Sequence, residues 1–331
     1  LFLLHKAVID EVHKTHPDKS VLLMGYAPTA WPSKIIDNWG DHVLVELTNQ
    51  TPAYVEAWRG KTAGITGYVY WFDIQLPMGM DIHATPREAA QHLRYLHDSG
   101  FIGLYQFPET NFGFAGPVIY ALGKLMGDPN LDHEALVDEY CRGVFGKAAG
   151  TMHKFYDLLY TNREQKFPLE MHGRKWPSWL TTSNLYLMLY PPPVLDELGA
   201  LLDQAAREAD TVRARGWISH VRDWYDFTKL LTEAIAAYRQ YQEDETPANW
   251  NSTRVAVEAF NAERSAKATA KQASANEIGF TAENDPQKAT DFAALDHAAE
   301  VAALHYQQRR AISMRAELNA EQATHAVDAA Q

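Results

Sequence analysis

Apolar residues at 1, 4, 8 and 12 give the opening segment one helical stripe, and His16-Pro17-Asp18 ends it. Val21-Leu-Leu-Met-Gly-Tyr26 is a continuous apolar run, and His42-Val-Leu-Val-Glu-Leu-Thr48 is a second. Such runs mark strands buried on both faces of a parallel sheet. Thr51-Pro52 opens a helix expected to reach about Thr62. A third strand is predicted over Ile65–Phe72. The helix that starts at Thr85-Pro86 runs to His97 and stops before Gly100, and a fourth strand follows over Phe101–Gln106. Strands alternating with helices predict a parallel sheet with right-handed crossovers. A complete (β/α) barrel takes about 250 residues, so four strands within about 110 residues correspond to half of one.

From Leu131 onward the pattern is helical. Segments 131–146 and 147–160 read as helices, the first ending at Gly146. Residues 166–193 are rich in Pro, Trp and Tyr and read as an ordered connection pinned by Trp176, Trp179, Tyr186 and Tyr190. Amphipathic helices are expected over 194–210, 211–243, 249–275 and 286–326. Val212, Trp217, Val221, Trp224, Phe227 and Leu231 form the stripe of the second of these. The expected fold class is α/β: the C-terminal half of a (β/α)8 TIM-like barrel over 1–127, followed by an α-helical bundle over 128–331.

Composition narrows the partners. Net charge is −12, from 42 acidic and 30 basic residues. That argues against nucleic acid or an anionic membrane, since both call for basic patches. No run approaches the ~18 apolar residues of a membrane span. Cys141 is the only cysteine, so no internal disulfide forms, and its helical setting reads as a buried structural thiol. The 14 histidines include no His-Glu-x-x-His pair. No phosphate loop and no Gly-x-Ser-x-Gly occurs, and neither a metal nor a cofactor is expected. The start at Leu1, without Met or a signal core, reads as that of a fragment or processed piece, which leaves the compartment open.

In a (β/α) barrel the chemistry sits at the C-terminal ends of the strands. Glycoside hydrolysis needs two carboxyl groups about 5 to 10 Å apart, one protonated and one ionised. Glu46, Asp73 and Glu109 lie in or just after strands two, three and four and are the candidate catalytic carboxylates. Tyr26, Asn49, Tyr70, Trp71, Gln106 and Asn111 are the candidate substrate-binding residues, since rings stack on sugar faces and amides pair with hydroxyls. Each has a plainer reading. Asp73 is a common loop cap, Glu109 follows Pro108 in a loop, and Glu46 would be costly on a barrel layer unless paired. Tyr70 and Trp71 point to opposite faces, so at most one meets a ligand.

Strand Val21–Tyr26, the run Gly67-Tyr-Val-Tyr-Trp-Phe-Asp73, Gly100-Phe-Ile-Gly-Leu104, Leu125-Met-Gly-Asp-Pro-Asn-Leu-Asp132 and Phe145-Gly-Lys-Ala-Ala149 together resemble the family called domain of unknown function 4838. The likeness covers about residues 1–245. That family is similar to the barrels of alpha-glucuronidases and beta-hexosaminidases. The resemblance implies a bacterial, exported, polysaccharide-processing setting, periplasmic or secreted, with a carbohydrate substrate. In related glycosidase barrels the general acid follows the fourth strand. If the chain begins at the helix after that strand, the acid lies upstream, and Glu46 matches a general-base or sugar-orienting position after strand six. Two alternatives remain: a non-catalytic carbohydrate-binding barrel, and a helical scaffold that docks a partner.

Overall fold

The structure is a computed structural model that describes residues 1–69, 80, 82, 84–106, 114–166 and 182–277. The chain forms two compact units. The first comprises Leu1–Asp73 with Ile82–Asp223, and the second Ile74–Asp81 with Trp224–Gln331.

The first unit is built on four parallel strands, β1 (Val21–Gly25), β2 (Val43–Leu47), β3 (Gly64–Val69) and β4 (Phe101–Gln106), paired in the order β1-β2-β3-β4. Helix α1 (Phe2–Thr15) precedes β1, α2 (Pro52–Trp58) joins β2 to β3, and α3 (Pro86–Asp98) joins β3 to β4. A single 3-10 turn, Ala27–Thr29, stands between β1 and β2. Thr85 caps α3: its Oγ1 accepts the Glu88 N–H, and the Glu88 carboxylate accepts the Thr85 N–H.

Side chains alternate across a strand, so the two faces of the sheet are separate surfaces. Leu23, Val43, Val45, Leu47, Ile65 and Val69 are at most 8% exposed. The first five share a core with Ile9, Trp39, Val55 and Trp58. Val69 joins a second core with Ala89, Ala90, Leu93 and Leu96 of α3 and with Val118, Ala121, Leu122 and Leu125 of a later helix. The opposite face is open along its two edge strands and half-buried between them, where Glu46 is 8% exposed. Leu22, Met24, Tyr26, Ile102 and Tyr105 are 45–64% exposed. Ile102 belongs there because β4 carries one extra residue opposite Ile65 and Thr66, and its Cδ1 lies 2.4 Å from where a Cβ on Gly64 would be. The expectation that β1 is buried on both faces is therefore corrected: only Leu23 and Gly25 are covered.

A second correction concerns α1. The helix forms as predicted, but Leu1, Leu4, Val8 and Val12 face solvent. Its buried residue is Ile9, and Phe2 packs edge-on against the Trp39 indole, with ring centroids 5.7 Å apart. Farther along, the His13 ring stacks on that of His42 at 3.6 Å. Those aromatic docking points, contributed by the segment before β2, set the rotation of α1. A stripe count cannot see them.

Helices complete the unit: α4 (Gly116–Gly127), α5 (His133–Phe145), α6 (Ala149–Lys166), α7 (Thr182–Leu189), α8 (Pro192–Glu208) and the first part of α9 (Val212–Glu243). Asp132 caps α5, and Gly146, at φ 56°, ends it. Cys141, Phe145, Met152, Phe155 and Tyr156 are buried on α5 and α6, with the Phe145 and Tyr156 rings 6.3 Å apart, and Leu136 joins the core of α3 and α4. Helix α7 was not expected as a helix; it lies in the segment read as an ordered connection, and two of the aromatic residues expected to pin that segment, Tyr186 and Tyr190, are buried. A buried ion pair joins α6 to α3, with Arg163 Nη1 2.5 Å from Glu88 Oε1 and both side chains nearly inaccessible. In the second unit the later part of α9 packs with α10 (Pro247–Glu277). Phe227 meets Phe260, Tyr241 meets Trp250, and Thr253 Oγ1 donates to the Ala237 carbonyl. The expected helix over 286–326 lies outside the described residues.

Candidate functional site

Strand register assembles the open face into rows. Met24, Glu46, Thr66 and Gly103 are successive partners across the four strands. Two residues further on, alternation puts Tyr26, Thr48, Tyr68 and Tyr105 in a second row, along the C-terminal rim. Below both rows lie Leu22, Leu44, Gly64 and Ile102. The face thus grades from aliphatic at the bottom, through a row with one carboxylate, to hydroxyl and aromatic at the rim.

Glu46 is the charged member. It is 8% exposed, and no hydrogen bond or ion pair reaches its carboxylate from the described residues. Burial alone raises its pKa above the usual carboxylate value, because removal from water penalises the charged form. Such a group holds its proton to higher pH than a surface glutamate does. The neighbouring Thr66 hydroxyl is turned to the Val45 carbonyl, 3.4 Å away. At the rim, the Tyr68 and Tyr105 rings pack 4.8 Å apart at 36°.

The rim is held by side chains that bridge strand ends. Gln50 Nε2 donates to the carbonyls of Leu47 (2.5 Å) and Tyr68 (2.8 Å), which ties the end of β2 to the end of β3. Tyr95 of α3 donates its hydroxyl to the Gln50 carbonyl. Thr48 Oγ1 donates to the Gly25 carbonyl and ties β2 to β1.

Two of the candidate residues, Glu46 and Tyr26, come together on the open face. Asn49 lies in the turn after β2, where its Oδ1 accepts the Thr51 N–H at 3.1 Å. Gln106 is the register partner of Val69, so it falls on the helix-covered face and is separated from Glu46. Asp73, Glu109, Tyr70, Trp71 and Asn111 lie outside the described residues. Tyr68, Tyr105 and Thr66 were missed. The signal was present: counting in steps of two from Glu46 and across the strands reaches all three, whereas looking only just past each strand skips them.

Two other features are accounted for structurally. Cys141 is buried, and that burial pushes its thiol up to about 12, which suits packing and not nucleophilic attack. A cleft lined by Arg87, His133, Glu134, His153, Asp157 and Glu164 contains an ion pair of its own, with Arg87 3.1 Å from Glu164. Among the described residues no group of three or more His, Cys, Asp or Glu is placed to hold a metal ion. No helix among them is long and apolar enough to cross a membrane.

Residues 2–157 match the model of the family described as Domain of unknown function (DUF4838). The family resemblance read from the sequence therefore holds over those residues, which contain all four strands and both rows of the open face. The match ends short of the expected limit near residue 245. No curated protein matches the chain. No solved structure matches it either.

Proposed function

We propose that the open face of this sheet is one wall of a carbohydrate site, with Glu46 as the carboxylate that activates water or orients a sugar for glycosidic cleavage. The observation that carries the reading is a buried carboxyl group without a partner among the described residues, one row below a rim of tyrosines. A buried charge is costly, and a buried carboxyl group with a raised pKa beneath a polar rim marks a candidate for proton transfer. Tyrosine rings offer the flat apolar surface that pyranose faces need, and their hydroxyls pair with those of a sugar. In finer architectural terms we read the four strands as half of a (β/α)8 barrel. Parallel sheets are rarely open on one face, and the aliphatic base beneath a polar rim resembles the interior of such a barrel.

Hydrolysis needs a second carboxyl group. Asp73 and Glu109, which follow β3 and β4 in the sequence, are the candidates this chain offers, with Tyr70 or Trp71 as further stacking residues. Glu46→Gln tests the role through release of reducing ends from a polysaccharide panel. Turnover should be abolished while the thermal melt shows a folded protein; unchanged turnover removes Glu46 from the mechanism. One observation favours a second reading, a binding wall that does not cut. Among the described residues Glu46 is the sole carboxylate on its face. In that case Glu46→Gln changes glycan affinity and no turnover exists to lose.

A further inference from the structure

We infer that Trp31 and Tyr54 form a second, separate sugar-stacking subsite on the same rim; this rests on the carbohydrate reading above. Trp31 lies in the connection after β1, and its indole is 51% exposed. One side of it is backed by the Tyr54 ring of α2, with centroids 4.2 Å apart and planes 32° from parallel. Trp39 and Trp58, the other tryptophans of the β1–β3 region, are each 1% exposed. An indole left open beside two buried ones is not there for lack of a core to enter.

The platform is also held in place. Thr29 Oγ1 lies 2.7 Å from the Met24 carbonyl and 2.8 Å from that of Tyr26, closing the 3-10 turn onto the end of β1. Trp58 Nε1 donates to the carbonyl of Ala30, the residue before Trp31, at 2.8 Å. Ala27 is kept at φ 49°, a left-handed conformation that a non-glycine residue holds only where its surroundings dictate it. A ring fixed in this way loses little entropy when a ligand covers it.

Polar chemistry lies on the turn that leads into α2, the helix that carries Tyr54. Asn49 spends its Oδ1 on the Thr51 N–H, while its amide nitrogen donates to no described residue. A flat ring on a rim that also carries an amide donor suits a pyranose, which has an apolar face and an edge of hydroxyls. Because Tyr26 begins the connection that carries Trp31, and Asn49 follows the strand that carries Glu46, the platform continues the Glu46 site outward along the C-terminal rim. Its occupant is a further sugar unit of the oligosaccharide bound at Glu46, so the subsite selects for oligosaccharide length.

The test is calorimetric titration of the full chain with xylohexaose, cellohexaose and chitohexaose and with the matching disaccharides. Covering about 50 Å² of indole corresponds to about tenfold in affinity. Trp31→Ala should weaken hexasaccharide binding by about that factor and leave disaccharide binding unchanged. Trp31→Leu, which keeps apolar bulk without a flat face, should lose as much, and Trp31→Phe should retain most of the affinity. Circular dichroism of each variant should match the parent, since the ring is half exposed. Equal hexasaccharide affinity in Trp31→Leu and the parent, or no saturable binding of any of the six sugars, overturns the inference. Glu46→Gln keeps the two readings distinguishable: if that change alters neither turnover nor affinity while the Trp31 variants lose hexasaccharide, the role of Glu46 fails and the subsite stands.

Discussion

Val45→Ala and Met24→Ala truncate side chains on neighbouring strands that point to opposite faces of one sheet. Val45 is fully buried in the core with Trp39, Trp58 and Val55, whereas Met24 is 45% exposed. Removing two methyl groups from Val45 forfeits about 1.6 kcal/mol of transfer free energy at ~0.8 kcal/mol per group. The cavity left in a core walled by two indoles adds about 1 kcal/mol, for a total of about 2–3 kcal/mol. Met24 has no covering layer to vacate, and its truncation should cost less than about 1 kcal/mol. Urea unfolding followed by the fluorescence of the buried tryptophans reads both. With a slope of about 2–3 kcal/mol per molar, Val45→Ala should lower the midpoint by about 1 M, and Met24→Ala by a few tenths at most. Ile102→Ala, 64% exposed at the far edge of the same face, should behave as Met24→Ala does. An equal loss for Met24→Ala and Val45→Ala would show that the face is covered in solution and would refute an open wall.

Two further outcomes follow from charge. Burial raises the pKa of Glu46, so the folded state binds its proton more tightly than the unfolded state does. Its contribution to stability is present below the unfolded value and is lost as pH rises through the folded one. Glu46→Gln should therefore melt higher than the parent at neutral pH, with the gap closing in acid; a constant gap across that range would remove the titration from the explanation. Arg163→Met takes the guanidinium away from buried Glu88 and should cost about 3–5 kcal/mol, much of it recovered when Glu88→Leu is added. Additive losses in the thermal melts of the two single variants and the double variant would show that the pair is not coupled.

Much of this architecture was legible in the sequence, for identifiable reasons. The four strands and their order followed from continuous apolar runs separated by Thr-Pro helix starts, a local signal, and all four lie where expected to within a few residues. The rotation of α1 was not legible, because Trp39 and His42 decide it from another part of the chain. Nor was the openness of one sheet face: Leu22 and Met24 are as apolar as Leu23, and only neighbours in space distinguish them. Helix α7 was hidden in a segment whose Pro, Trp and Tyr content reads as an ordered connection pinned by its rings and carries no helical stripe. At the site, the rule about strand ends found Glu46 and Tyr26 but set Gln106 beside them. The extra residue in β4 fixes which of its side chains share the face of Glu46, and no local pattern announces that bulge.

The most direct test of the central claim is a crystal structure of the chain grown with a mixed oligosaccharide panel. The account predicts sugar density on the open face, stacked on Tyr68, Tyr105 or Tyr26 and within hydrogen-bond reach of Glu46. A well-ordered, saturated crystal with no sugar on that face, or with sugar bound only elsewhere on the chain, would contradict it.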